Sequence, residues 1–153
     1  MIFVECYADQ VLVQAVRNIR VADIAHELKG KGTICSRLQN KAGCTALLDE
    51  DPSSPQPPYL KELTLHQNLQ THDIKEFRDI SRANIVVVLT PKLEDWILRA
   101  CRISNVRLDA YSLPSTPSEL HRVINYRLDK FNLMVGDLLA TRSPMLTALA
   151  SVL

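Results

Sequence analysis

Two short acidic motifs each close an apolar run. Ile2-Phe3-Val4 leads into Glu5, with Asp9 one helical turn further on. Thr45-Ala46-Leu47-Leu48 leads into Asp49-Glu50-Asp51. Each run reads as a buried strand whose C-terminal end carries carboxylates. In an extended chain, side chains alternate, so Asp49 and Asp51 face one way and Glu50 the other. If the two strands are parallel neighbours, Glu5, Asp49 and Asp51 meet at one sheet edge. Converging carboxylates repel one another unless a cation lies between them, and hard oxygen ligands suit Mg²⁺ or Mn²⁺. A lone D-x-D is more readily the start of a turn, and a proline-rich stretch does begin here. The addition of Glu5 and Asp9 favours the metal reading.

The elements that must position these residues follow from apolar periodicity. Residues 1–5 read as a strand. Leu12, Ala15, Val16 and Ile19 form a helical stripe over 9–19. Residues 20–28 read as a second strand, with a helix as the alternative, 33–40 as a short helix and 43–49 as the strand carrying the second motif. Residues 50–58 (Glu-Asp-Pro-Ser-Ser-Pro-Gln-Pro-Pro) are a loop, because prolines remove backbone donors. Residues 59–82 are polar and stay undecided between helix and loop. Asn84-Ile85-Val86-Val87-Val88-Leu89 does not alternate and reads as a strand buried on both faces. Thr90 with Pro91, and Thr116 with Pro117 and Glu119, have the composition of helix starts. A last helix covers about 132–152, with a break near Pro144. The order β-α-β-α-β-β-α-α-α implies a mostly parallel sheet covered by helices, with the strand C-termini along one edge.

Composition sets outer bounds. The 153 residues are 46% hydrophobic and 23% charged, as in a soluble single domain. The net charge of +1 exerts no global pull on nucleic acid or anionic membrane, so such binding needs a local patch. No apolar run reaches the length of a membrane span, and Met1 leads straight into a strand, so the cytoplasm is the expected compartment. Cys6, Cys35, Cys44 and Cys101 form no C-x-x-C pair, which argues against zinc.

Other chemistry-bearing residues have bland readings beside the functional ones. Lys29-Gly30-Lys31-Gly32 is either a solvated turn or a phosphate contact; it lacks the Walker A pattern. Glu94 and Asp95 suit the first turn of a helix, and either could join an acidic site. Trp96 lies on an apolar stripe and reads as core. His26, His66, His72 and His121 share no ligand spacing and read as surface residues. Arg99, Arg102 and Arg107 are candidates for a phosphate-tracking patch. Leu133, Leu138, Leu139, Met145 and Leu146 supply apolar surface that packs on the sheet or against a second copy of the chain in a homodimer.

Val4-Glu5-Cys6-Tyr7-Ala8-Asp9 resembles the V-E-G-x-x-D motif of the TOPRIM domain, shared by topoisomerases, bacterial-type primases and OLD-family nucleases. Leu48-Asp49-Glu50-Asp51 resembles that family's second motif. Gly30-Lys31-Gly32 looks like its G-K segment, and Pro91-Lys92-Leu93-Glu94-Asp95-Trp96 is similar to a helix start in small stand-alone TOPRIM-related proteins. The resemblance covers about residues 1–103, and Cys6 stands where the family usually has glycine. It implies a Rossmann-like α/β fold: a mostly parallel four-stranded sheet over 1–110, with a helical C-terminal extension over 111–153. It implies Mg²⁺-dependent (or Mn²⁺-dependent) phosphodiester chemistry on DNA or RNA, most simply nuclease-like hydrolysis. In that family Glu5 is the position of the general acid or base or of a further metal ligand, and Asp49 and Asp51 are metal ligands. Lys29, Gly30, Lys31 and Gly32 would contact phosphate, and Asp9, Glu94 and Asp95 are additional acidic candidates. The chain is too short for the further domains of a topoisomerase or primase. The alternative is a TOPRIM-fold binding or scaffold domain without catalysis.

Overall fold

The computed structural model describes residues 1–27 and 29–153. Its centre is a mixed sheet of six strands in the order β2-β1-β3-β6-β5-β4. The strands are β1 (Ile2–Val4), β2 (Ile24–His26), β3 (Thr45–Asp49), β4 (Thr64–Leu69), β5 (Ile74–Asp79) and β6 (Asn84–Leu89). β2, β1, β3 and β6 are mutually parallel; β5 and β4 add an antiparallel hairpin beside β6. The sheet therefore has six strands rather than four. The second strand is shorter than read, because Val21–Asp23 forms a 3₁₀ turn ahead of it. The end of that reading, Leu28, lies outside the described residues.

The hairpin has a physical reason for escaping notice. β4 (Thr-Leu-His-Gln-Asn-Leu) is almost wholly exposed, so it shows no alternation of apolar and polar residues. In β5 a glutamate, Glu76, occupies a buried position, 2% exposed. Its carboxylate is satisfied by Gln67 Nε2 at 3.0 Å and Arg78 Nε at 2.8 Å. A buried charge paired in this way is tolerable, but it erases the period-two signal.

Helices cover both faces. α1 (Tyr7–Arg17), α3 (Leu93–Ile103), α4 (Pro117–Val123), α5 (Leu128–Ala140) and α6 (Pro144–Val152) share one core with Val4, Leu47, Val87 and Leu89. Phe131, Met134, Leu138, Met145 and Leu146 are buried in that core, so the helices after Tyr111 are part of the same packed body. Leu133 and Leu139 remain on its surface. On the other face α2 (Lys31–Gln39) and a 3₁₀ turn, Pro58–Glu62, pack over Phe3, Ala46, Leu48, Val86 and Val88. Alternate residues of β1, β3 and β6 thus feed two cores, which explains their unbroken apolar runs. No helix among the described residues is long and apolar enough to cross a membrane.

Asn84 locks the far end of the parallel sheet. It is fully buried. Its Oδ1 accepts the Cys44 amide at 2.9 Å, and its Nδ2 donates to the carbonyls of Leu38 and Lys41, both at 2.9 Å. Asn84→Ala leaves the buried Cys44 amide without a partner and takes a donor from the Leu38 and Lys41 carbonyls. We expect a loss of about 2 kcal/mol or more in urea denaturation; an unchanged midpoint would contradict this role.

Candidate functional site

The ends of β1, β3 and β6 and the starts of α1, α2 and α3 come together at one sheet edge. A helix start carries unpaired N–H groups and a partial positive charge. Here each of the three starts is met by a carboxylate. Asp9 Oδ2 accepts the Cys6 amide at 3.0 Å, while Cys6 Sγ accepts the Asp9 amide at 3.4 Å, closing a capping box on α1. Glu5 Oε2 accepts the first amide of α2, from Lys31, at 3.0 Å. Asp49 Oδ1 accepts the first amide of α3, from Leu93, at 2.8 Å. Glu5 Oε1 in turn accepts the Asp49 amide at 2.9 Å, so the ends of two neighbouring parallel strands are tied through the glutamate.

This arrangement moves a helix start that the sequence placed at Thr90. The chain bends at Thr90 and Pro91 and is extended at Lys92, with the Thr90 amide bonded to the Asp73 carbonyl and the Pro91 carbonyl accepting from the Asp51 amide. α3 begins at Leu93, and its cap comes from Asp49, on a different strand. The Thr90 hydroxyl is buried and caps nothing. At α2 the cap position is Gly30, with φ 69° and ψ −159°, a conformation open to glycine and little else.

Asp51 does not stand beside Asp49 as a period-two pair. β3 ends at Asp49, and Asp51 has φ 43°, so alternation stops before it. Its carboxylate accepts the Ser54 hydroxyl instead. Asp51 still lines a cleft of about 540 Å³ together with Glu5, Lys31, Gly32 and the proline-rich loop. Glu50 pairs with Lys75. The Lys31 ammonium donates to the Glu50 carbonyl at 2.9 Å and to Gln56 Oε1 at 3.3 Å. Lys29 is exposed, and Asp95 takes part in none of these bonds.

The acidic cluster extends inward rather than outward. Asp9 is 4% exposed and Glu94 5%. Burial, then the charges of Glu5 and Glu94, push the Asp9 carboxyl up to about 7. Burial, then Asp9, Glu5 and Glu94, push Asp49 up to about 8. Burial also raises Glu5, against the opposing pull of the Asp49 and Lys31 amides and the Lys31 charge. Glu94 Oε1 lies 2.8 Å from His121 Nδ1, and its Oε2 is buried without a partner. His121 sits on α4, and no spacing in the sequence connects it to Glu94; only the packing of α4 on α3 does.

No family model, curated protein or solved structure matches the chain.

The donor chemistry of the edge suits a hard divalent cation. Its carboxylates lie close enough to raise one another's proton affinity, and one buried oxygen has no partner. Among the described residues, no three His, Cys, Asp or Glu side chains are arranged to hold an ion by themselves. The expected trio of Glu5, Asp49 and Asp51 is therefore not a ready three-ligand cage. Mg²⁺ does not need one, since it commonly takes one or two carboxylates and completes its shell with waters and substrate phosphate oxygens.

Asp9 and Asp49 hold protons more tightly folded than unfolded. Between the ordinary carboxylate range and the raised values of about 7 and about 8, the folded state binds more protons. Stability must then fall as pH rises through that window. We expect the melting midpoint in EDTA to drop between about pH 5 and about pH 8. Mg²⁺ at the upper pH should restore it by replacing the protons, and Asp49→Asn should flatten the profile. A wild-type midpoint that rises or stays level across this range contradicts the cluster.

Proposed function

We propose that this chain is a TOPRIM-like domain that performs Mg²⁺-dependent phosphodiester chemistry on nucleic acid, in the form of nuclease-like hydrolysis. One observation carries the reading. Glu5 and Asp49 leave neighbouring parallel strands side by side, linked by the Asp49 amide, at an edge where α2 also begins. In this reading the four parallel strands are the TOPRIM sheet and the β4–β5 hairpin is an addition to it.

Asp49 and Glu5 would hold the ion, with Asp51 on the cleft that Glu5 lines. When bound, it would supply charge to a phosphate oxygen and activate a water. The remaining work falls to the chain. The α2 start and the Lys31 ammonium attract and orient a phosphate in the cleft. Alternatively, Glu5 would leave the ion to Asp49 and hold or move a proton at the carboxylate oxygen beside the Lys31 amide. Gly30 is set here by its positive φ of 69°, since a Cβ would make only an ordinary 3.5 Å contact with Glu5 Oε2.

A second reading has its own observation. Both Glu5 oxygens are taken by amides, Asp51 is tied to Ser54, and Cys6 closes the start of α1 where the family has glycine. This favours a binding or scaffold domain that keeps the fold without the reaction. Incubation with labelled single-stranded and duplex DNA and RNA, in Mg²⁺ or Mn²⁺, separates the two. We expect metal-dependent cleavage that falls about 10²-fold or more in Glu5→Gln and Asp49→Asn and persists in Asp129→Asn, on the exposed face of α5. Absence of cleavage on every substrate, with nucleic acid still bound, would establish the binding reading instead.

A further inference from the structure

A second cleft of about 430 Å³ opens on the α2 face, on the other side of the proline-rich loop. Leu60, Phe77 and Val88 form its apolar floor, and Asp49, Lys61 and Lys75 stand around it. Gln56 lines both clefts. The wall between them is pinned: Gln56 Nε2 donates to the carbonyls of Glu50, Asp51 and Ser54, at 3.0, 3.1 and 3.0 Å. The slot is therefore preformed, and it adjoins the carboxylate assigned above to the ion.

Its lining specifies a ligand. Phe77 is half-buried against the α2-face core and lines the slot. An aromatic ring beside aliphatic side chains accepts the flat face of a nucleobase. The ammonium of Lys75 is already neutralised by Glu50, whereas Lys61 is exposed and has no ion pair among the described residues. Lys61 is thus placed to meet a backbone phosphate at the mouth while Asp49 marks the inner end. Ligand pockets span about 300–1,000 Å³, and a slot at the lower end holds one base rather than a pair. A base stacked within a duplex cannot enter without first leaving its partner.

We propose that this slot takes an unpaired nucleobase, and that the substrate is single-stranded nucleic acid or a frayed end rather than intact duplex. This rests on the nucleic-acid reading above and adds the strand type to it. Base selection is expected to be weak, because stacking tolerates any base.

Equilibrium binding of the full chain in EDTA tests the slot without requiring catalysis. The probes are a fluorescein-labelled single strand, its duplex, the same strand with an abasic site, and a strand containing 2-aminopurine. We expect the single strand to bind about tenfold or more tighter than duplex, the scale of one stacked base, and 2-aminopurine fluorescence to be quenched. Phe77→Leu, which keeps an apolar side chain but removes the ring, should lose the quenching. Lys61→Glu, on an exposed turn where folding is not at stake, should weaken binding about fivefold or more and lessen its salt dependence. Equal affinity for duplex and single strand, indifference to the abasic site, or no effect of Lys61→Glu would overturn the proposal. Quenching without metal-dependent cleavage supports the slot while removing the hydrolytic reading. Cleavage of duplex and single strand alike, without quenching, removes the slot alone.

Discussion

The structure depends on the meeting of carboxylates with helix starts at one sheet edge. Each partner has a deficit that the other fills. A helix start has amide donors without acceptors, and a half-buried carboxylate has lost part of its water. Glu5 against α2, Asp49 against α3 and Asp9 against α1 settle both deficits together. The contacts also require the elements to be closed together. Glu5 cannot accept the Asp49 amide unless β1 and β3 are paired, and Asp49 cannot cap α3 unless β6 has delivered it to the same edge. The cluster is therefore a consequence of parallel topology, and it holds that topology in place.

The settlement is incomplete, and the remainder is where chemistry becomes available. Asp9, Asp49 and Glu94 face each other's charge as well as the helix starts, and one oxygen of Glu94 is left without a partner. Protons or a cation are the two ways to relieve such crowding. On either side of the pinned loop over 50–58, Glu5 lines one cleft and Asp49 the other. The same carboxylates that cap helices are thus reachable from solvent, which a purely structural cap would not need to be.

Much of this was readable from the chain alone, and the failures have physical causes. Glu5 and Asp49 stand out because each ends an apolar run, a signal that survives any detail of packing. The parallel arrangement follows from strands alternating with helices. Asp51 was misjudged because alternation holds only while the chain stays extended, and a positive φ after β3 ends it. The start of α3 was placed too early because its cap is lent by another strand, which local sequence cannot register. The β4–β5 hairpin was missed because β4 is exposed and Glu76 sits buried in β5. His121 had no signal at all, since its link to Glu94 exists only once α4 lies on α3. Cys6 was marked as a departure from glycine; in the fold it is the residue whose sulfur closes the start of α1.

The central claim is that this edge is an ion site formed by strand-end carboxylates and not merely a set of helix caps. A crystal grown with Mn²⁺ and measured at the manganese absorption edge addresses it directly. The account predicts an anomalous peak within bonding distance of Asp49 and Glu5. An edge without such a peak at saturating Mn²⁺, or manganese bound only elsewhere on the surface, would contradict it.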